Sequence, residues 1–175
     1  MKYILFVSFL FTGLVAEAQK FGYVDTDYIL SRMPEYKKAQ EEINKLSAEW
    51  EQQLKEKMAE IELMYASLKA EEVLLTPEMK EERMKDIKNQ ELKLKEYQRD
   101  IFGFEGLFFL KKQELIKPIQ DKVFEAVEKV AKENRLSVLF DKAADLVMIY
   151  TDPRYDYTDF VLDELGLGDS SDVLK

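Results

Sequence analysis

The sequence predicts an α+β fold in which both ends of the chain form a small three-stranded β/α body, with a long antiparallel α-helical coiled-coil hairpin inserted between them. Three observations predict it. The stretch 35–74 has neither glycine nor proline and is rich in Lys and Glu, which is typical of a long helix. A Thr-Pro pair at 76–77 marks a stop and a second helix start. Short apolar runs typical of strands flank the helices.

The first 18 residues are predicted to be a cleaved secretory signal peptide. Lys2 precedes an apolar run from Tyr3 to about Leu14, and Ala16-Glu17-Ala18 is a small-residue cleavage site. The run is shorter than the about 20 residues that a membrane span needs, which disfavours the alternative of an uncleaved anchor. Gln19 is the expected mature start. The chain contains no cysteine, so packing or assembly must stabilise it in an oxidising compartment.

The mature chain begins with a predicted strand and a short helix. Residues 20–25 form an apolar run followed by turn-type residues. Thr26 or Asp27 is the expected N-cap of a helix over Tyr28–Met33. Pro34 pushes Met33 out of the helical region and suits the first turn of the next helix.

The first long helix carries a single apolar stripe. Its stripe residues recur every three or four positions, close to the coiled-coil period. At 1.5 Å per residue the helix is about 60 Å long, so it needs a partner helix. The stripe consists of Ile43, Leu46, Trp50, Leu54, Met58, Ile61, Tyr65 and Leu68.

The second long helix is the expected partner. A short turn forces the two helices to be antiparallel, and positions that pair across a tip near 74–78 sum to about 152. Trp50 is therefore expected to face Phe102. The apolar residues that recur every seven positions are Ile87, Leu94, Ile101, Phe108 and Leu115, with Tyr97 and Phe104 in alternate slots.

The remainder of the chain returns to the body. Pro118 is the expected break or kink before an amphipathic helix that ends near Glu133. Leu136–Asp141 is a predicted strand, and Leu146–Tyr150 is a second one that is apolar throughout and expected to be buried.

A last helix, Asp159–Leu165, is expected to be capped by Asp156 or Thr158 and stopped by Gly166. The predicted organisation is 1–18 signal peptide, 19–34 and 118–168 body, 35–117 helical arm, and 169–175 flexible tail.

The segment 100–112, DIFGFEGLFFLKK, is interpreted as helix because Ile101, Phe104 and Phe108 continue the seven-residue stripe. Phe104 and Phe108 are expected to fill the contact between the arm helices. Off the stripe, Phe102 and Phe109 are expected to point toward a neighbouring subunit or a bound protein. The candidates for such contacts are Trp50, Phe102 and Phe109, and the candidates for arm bending are Gly103, Gly106 and Pro118. The two glycines serve either as a hinge or as packing space.

The composition indicates no enzyme and no cofactor. The chain has no histidine and no cysteine, which removes the common nucleophile–base pairs and most transition-metal sites. Its carboxylates lie at solvent-facing helical spacings, and Asp25 to Asp27 is interpreted as a helix cap rather than a metal loop. A net charge of −9 argues against a nucleic acid partner.

Two end segments, FGYVDTDYILSRMPEYKKAQ and LSVLFDKAADLVMIYTD with the following YDYTDFVLDEL, together with the charged hairpin, resemble the Skp/OmpH family of periplasmic chaperones. The resemblance covers the whole mature chain. It implies a homotrimer whose helical arms surround a cavity, where unfolded outer-membrane β-barrel proteins are held in the periplasm without ATP. The best-known members are strongly basic, whereas this chain is acidic, which weakens any mechanism based on a positive surface.

A second reading stays open at this stage: a periplasmic structural coiled-coil protein, an adaptor or spacer whose hairpins bind one folded partner. The sequence also leaves open whether the arms touch lipid.

Overall fold

The computed structural model describes residues 19–144 and 148–168. Within them the chain forms two strands, five α-helices and one short 3-10 helix. The predicted signal peptide and the tail 169–175 lie outside the described residues. In chain order the elements are β1 (Lys20–Val24), α1 (Thr26–Arg32), α2 (Pro34–Glu71), α3 (Pro77–Phe102), α4 (Leu107–Glu133), β2 (Leu136–Asp141), the 3-10 helix (Pro153–Tyr155) and α5 (Thr158–Glu164).

The contacts divide the chain into two compact units. The hairpin unit comprises Met33–Asp121, and the chain-end unit comprises the described residues up to Arg32 and from Lys122 onward. Strands from the two ends of the chain thus belong to one unit. The two long helices α2 and α3 belong to the other.

A parallel two-stranded sheet joins the ends of the chain in the chain-end unit. Phe21 lies opposite Val138, and Tyr23 lies opposite Phe140. Helices α1 and α5 pack against each other. The buried apolar residues of this unit are Tyr23, Val24, Ile29, Leu30, Val123, Ala126, Val130, Val161 and Leu162.

A third strand is not formed by the described residues. Met148–Tyr150 lie in no strand, and Ile149 is 97% exposed rather than buried; Leu146 and Val147 lie outside the described residues. A strand needs a neighbour that accepts and donates backbone hydrogen bonds. Beside β1 that place is taken by the 156–157 segment, because the Tyr157 backbone N–H donates to the Tyr23 carbonyl at 2.8 Å.

Helix α1 begins earlier than predicted, and its cap is a different residue. The Asp25 Oδ1 atom accepts a hydrogen bond from the Tyr28 backbone N–H at 2.9 Å, so Asp25 caps the first turn. Thr26 is instead the first helical residue, and its hydroxyl donates to Asp141 Oδ2 at 2.6 Å. The sequence alone could not show this, because Asp141 is remote in the chain.

The hairpin is antiparallel with the predicted pairing. The rings of Trp50 and Phe102 meet edge to face at a centroid distance of 6.4 Å, which confirms the expected pair. Nearer the tip, the Tyr65 hydroxyl donates to Glu91 at 3.0 Å. The Thr76 hydroxyl accepts from the Met79 N–H at 3.3 Å, with Pro77 at the first helical position, as predicted.

The segment 100–112 is not one continuous helix, contrary to the prediction. Helix α3 ends at Phe102, and α4 begins at Leu107. Glu105, between the two glycines, has a φ of 54°. A Cβ at Gly103 would lie 2.3 Å from the Arg99 carbonyl oxygen, and a Cβ at Gly106 2.5 Å from that of Ile101. The turn folds back so tightly on α3 that only glycine fits at both positions.

Pro118 does not end a helix, contrary to the predicted break. Helix α4 runs through it to Glu133, the end that the sequence predicted. Pro118 lacks an N–H, so one intrahelical hydrogen bond is missing at this point. The apolar residues on both sides, Ile116 and Ile119, are buried.

Candidate interaction surfaces

One face of the β1–β2 sheet is covered and the other is open. On the covered face, Gly22 lies under the Tyr157 ring so closely that an added Cβ would be 2.5 Å from a ring carbon. On the open face, Phe21, Val138 and Phe140 are exposed. Parallel strands are normally buried on both faces. The open face is therefore an apolar surface that lacks a cover in the single chain.

A groove lies at this open face. It measures about 470 Å³ and includes Tyr23, Met148, Tyr150 and Tyr155 in its lining. Aromatic side chains that combine an apolar body with a polar tip are enriched at protein interfaces. We call this groove and the exposed strand residues the sheet face.

Polar side chains at the carboxyl ends of the two strands stabilise the chain-end unit. Besides the Thr26 hydroxyl, Asp141 accepts from the Thr26 N–H at 3.2 Å and from the Ala143 N–H at 3.0 Å. The Thr158 hydroxyl accepts from the Asp25 N–H at 3.0 Å and donates to Asp156 at 2.5 Å. Asp156 also accepts from the Thr158 N–H at 2.9 Å. Helix α5 nevertheless begins one residue earlier than predicted, at Thr158, and its N-cap residue is Tyr157, whose side chain makes no capping hydrogen bond, so the predicted Asp156 or Thr158 cap is wrong.

The structure places the predicted contact residues at the hairpin end where α3 passes into α4. Phe102 lies between Trp50 and Phe108, whose ring centroid is 5.8 Å from its own. Phe102 thus contacts α2 through Trp50, as the pairing predicts, and 37% of its surface remains exposed; its contact with a neighbouring subunit or a bound protein stays a prediction. Phe109 is exposed, as expected for an off-stripe position.

Phe104 contradicts its predicted place in the helix contact. It is 97% exposed, because the helix ends two residues earlier and the turn carries Phe104 away from the stripe. Leu107 and Leu110 at the start of α4 are also exposed. We call the exposed residues Phe104, Leu107, Phe109 and Leu110 the root cluster.

The hairpin tip holds a second exposed apolar group that the sequence reasoning missed. Val73 is 93% and Leu74 81% exposed, and Met79 is exposed as well. The sequence does contain a signal for this group: the apolar run Val73-Leu74-Leu75 lies directly before the Thr-Pro helix start and after Leu68, the last residue of the stripe. We call these residues the tip cluster.

The charged residues of the hairpin form exposed pairs of mixed sign. Lys45 pairs with Glu49 at 3.9 Å, and Arg83 pairs with Glu71 at 3.8 Å. Such exposed pairs contribute little to stability.

The hydrogen bond to Glu91 raises the pKa of the exposed Tyr65 hydroxyl, and desolvation and the charge of Glu91 act in the same direction.

Among the helices of residues 19–144 and 148–168, none has both the length and the apolar character of a membrane span. The same residues bring together no group of three or more potential metal-binding side chains.

Comparison with known proteins shows which family has this architecture. Residues 20–165 match the family model described as outer membrane protein, OmpH-like. An uncharacterized protein of Aquifex aeolicus (strain VF5) is 30% identical over 145 residues, which cover 83% of this chain and 85% of that one. A crystal structure from Caulobacter crescentus CB15, described as an OmpH-like outer membrane chaperone, has a TM-score of 0.67 at 13% identity and covers 86% of this chain and 84% of that one. That likeness shows a shared fold, and the family match extends over nearly all described elements. The chain belongs to the OmpH-like family.

Proposed function

We propose that this protein is an ATP-independent holdase chaperone of the periplasm. Three copies surround a cavity with their helical arms, and the cavity holds unfolded outer-membrane β-barrel proteins and prevents their aggregation. The family membership supports this function, as does the fold shared with the Caulobacter protein that is described as an outer membrane chaperone.

The observation that carries the proposal is the exposed apolar surface at both ends of the hairpin. The root cluster and the tip cluster place seven apolar side chains in water, at a cost unless another chain covers them. An unfolded barrel protein offers apolar segments in no fixed order. Several separate weak contacts suit such a partner better than one shaped pocket. Trp50, Phe102 and Phe109 are the proposed contact residues near the root, facing either the bound protein or a neighbouring subunit.

The sheet face supports the proposed self-association. A body of this size has a marginal core, and its two parallel strands leave aromatic residues exposed. A second and third copy would cover these residues. The homotrimer itself is what the resemblance to the family implies.

The charge distribution favours apolar over electrostatic capture. The chain is acidic, with a net charge of −9, while the arms carry paired charges of both signs. Capture should therefore weaken little when salt is raised from about 0.05 to 0.5 M, because salt screens charges and leaves apolar contacts intact. The negative net charge of the chain also disfavours contact with anionic lipid. Vesicle flotation with and without anionic lipid tests this expectation.

No chemical step is proposed. Weak distributed contacts allow release without an energy source, so the function requires neither a catalytic group nor a cofactor.

Arm bending would adjust the cavity to the size of the bound protein. The turn between α3 and α4, with Gly103 and Gly106, is the proposed bending point, and Pro118 is a second one because it lacks one helical hydrogen bond. Changing both glycines to alanine forces the turn open or distorts it. The variant should suppress aggregation of small and large barrels unequally. Equal performance on both would reject the hinge.

The test of the function is light scattering of several unrelated barrel proteins diluted from urea, with and without stoichiometric protein. Suppression of all of them is expected. The variant Val73→Ser with Leu74→Ser should lose suppression, whereas Phe124→Ser, an exposed site on the chain-end unit, should retain it. No suppression, together with tight binding of one folded protein, would instead support the adaptor or spacer.

The location has its own test. Fractionation of cells and sequencing of the mature N-terminus should give a periplasmic protein that begins at Gln19. An N-terminus at Met1 in the membrane fraction would contradict cleavage.

A further inference from the structure

We propose that neighbouring copies also contact each other through their hairpin units, by a knob and a groove. The knob is Phe104 with Glu105, and it occupies a groove on helix α4 of the next copy. This inference rests on the proposed self-association, but it names a contact separate from the sheet face.

In the structure, the turn between α3 and α4 holds the knob out from the hairpin. The Gly103 N–H donates to the Arg99 carbonyl at 2.7 Å, and the Gly106 N–H donates to the Gly103 carbonyl at 2.9 Å. These bonds lie on both sides of Phe104, whose side chain is 97% exposed. Burying so exposed an aromatic side chain against another molecule is favourable. Phe104 is therefore an anchor that lacks a pocket in its own chain.

The groove lies along one face of α4 and measures about 470 Å³. Its lining residues Phe109, Gln113, Ile116 and Gln120 follow the spacing of a single helix face. Ile116 is buried and forms the floor, while Phe109 is exposed at one end. An aromatic ring from another molecule would cover both apolar side chains.

Charge selects what fits the groove. Lys112, Lys117 and Asp121 also line it. Lys117 donates to Asp121 at 2.8 Å, so Lys112 supplies the remaining positive charge of the groove on a chain whose net charge is −9. Glu105 is adjacent to Phe104 and exposed. The Phe104 ring would cover the apolar floor at Ile116, and the Glu105 carboxylate would lie near the lysines that line the groove.

A second copy supplies this match at a fixed geometry. Phe104 does not enter the groove of its own chain, as its exposure shows. Knob and groove are different patches, so the contact is head to tail and closes into a ring when the rotation between copies allows it. An unfolded client would present no constant Phe-Glu pair, so the second copy is the favoured occupant.

Cysteine cross-linking tests the contact, and the cysteine-free chain gives no background. Two full-length variants with different tags, Leu107→Cys and Gln113→Cys, keep Phe104 and Glu105 in place, since Leu107 is an exposed neighbour of the knob. They are mixed in denaturant, refolded together and oxidised. We expect a mixed disulfide between the two chains. The control replaces Gln113→Cys by Lys111→Cys, about 160° around the helix, and should yield at least about fivefold less mixed product.

Three results would overturn the inference. If solution mass shows an oligomer but no mixed disulfide forms between positions 107 and 113, the contact is wrong and the proposed self-association stands. A strict monomer would reject both. Abolition of the cross-link by stoichiometric unfolded barrel protein would assign the groove to the client.

Charge reversal gives an independent readout. Glu105→Lys should lower the yield of the mixed disulfide at least about fivefold, since it places a cation against the lysine-flanked groove. Adding Lys112→Glu and Lys117→Glu in the receiving chain should restore the yield. Failure of the restored pair to exceed the single reversal would contradict the charge match.

Discussion

The chain-end unit and the hairpin unit are stabilised in different ways. In the hairpin, a repeating stripe and a short turn fix the pairing, and polar contacts such as Tyr65 with Glu91 sit at its exposed surface. In the chain-end unit, single contacts connect remote residues, as when Thr26 bonds Asp141 or Asp25 bonds Thr158. A repeated pattern tolerates local change, whereas a unit of few unique contacts depends on each of them. The hairpin thus exposes apolar residues at both of its ends, whereas the chain-end unit depends on contacts between remote parts of the sequence.

The largest expected effect is a cavity in the hairpin. Ile87 is 1% exposed, and Ile87→Ala should lower the free energy of unfolding by about 3 kcal/mol. Trp50, the single tryptophan, reports this unit by fluorescence during urea unfolding. The control Leu92→Ala, at an exposed position of the same helix, should change it by less than about 0.5 kcal/mol. Equal losses would contradict the assigned stripe.

Next is overpacking in the chain-end unit. Gly22→Ala should cost about 2 kcal/mol, because the new methyl group meets the Tyr157 ring and the Leu139 side chain. Hydrogen exchange should accelerate in β2 while that of α3 stays unchanged. Lys20→Ala, at an exposed position of β1, serves as the control. Equal acceleration in α3 would show that the two units unfold together.

Loss of a remote polar contact should cost less. Asp141→Ala removes the acceptor of two hydrogen bonds from Thr26 and one from Ala143, at a cost of about 1–2 kcal/mol. Thermal unfolding measures the loss of stability, and hydrogen exchange of the α1 amides shows where it occurs. Glu125→Ala, an exposed carboxylate of the same unit, should leave stability nearly unchanged. An unaffected α1 would show that the Asp141 contact is dispensable.

The smallest effect is a pH dependence of an exposed pair. Lys129 donates to Glu164 at 2.7 Å, and this hydrogen bond raises the pKa of the ammonium group above 10.5. Because the pKa of Lys129 is raised in the folded state, the pair contributes its full stability at a pH below the unfolded-state pKa. This contribution is lost as the pH rises through the folded-state pKa. Lys129→Met should therefore melt slightly below wild type at pH 7, and the difference should disappear once the pH exceeds the raised pKa of Lys129. A difference that persists at high pH would reject the ion pair as its cause.

Periodicity and turn chemistry predicted the hairpin well. The Thr76 cap, the antiparallel pairing and the Trp50–Phe102 contact all depend on residues near in sequence or on a constant register. The strand Leu136–Asp141 was also predicted with its observed bounds, because apolar runs between turn residues are local signals.

The errors arose where a local pattern competed with geometry. In the sequence, the seven-residue stripe continues through Phe104. In the structure, Gly103 and Gly106 form a tight turn that ends the helix, and Phe104 lies in this turn, exposed to solvent. The cap of α1 was misassigned because Asp141 engages Thr26 from the other end of the chain. An apolar run also predicted a buried strand ending at Tyr150, but apolarity gives no information about an available sheet edge.

Native mass spectrometry of the purified protein mixed with one urea-unfolded barrel protein tests the central claim most directly. The account predicts a complex of three chains with one barrel protein, and a free protein of three chains. A monomer that binds no barrel protein under conditions in which the barrel aggregates would contradict it.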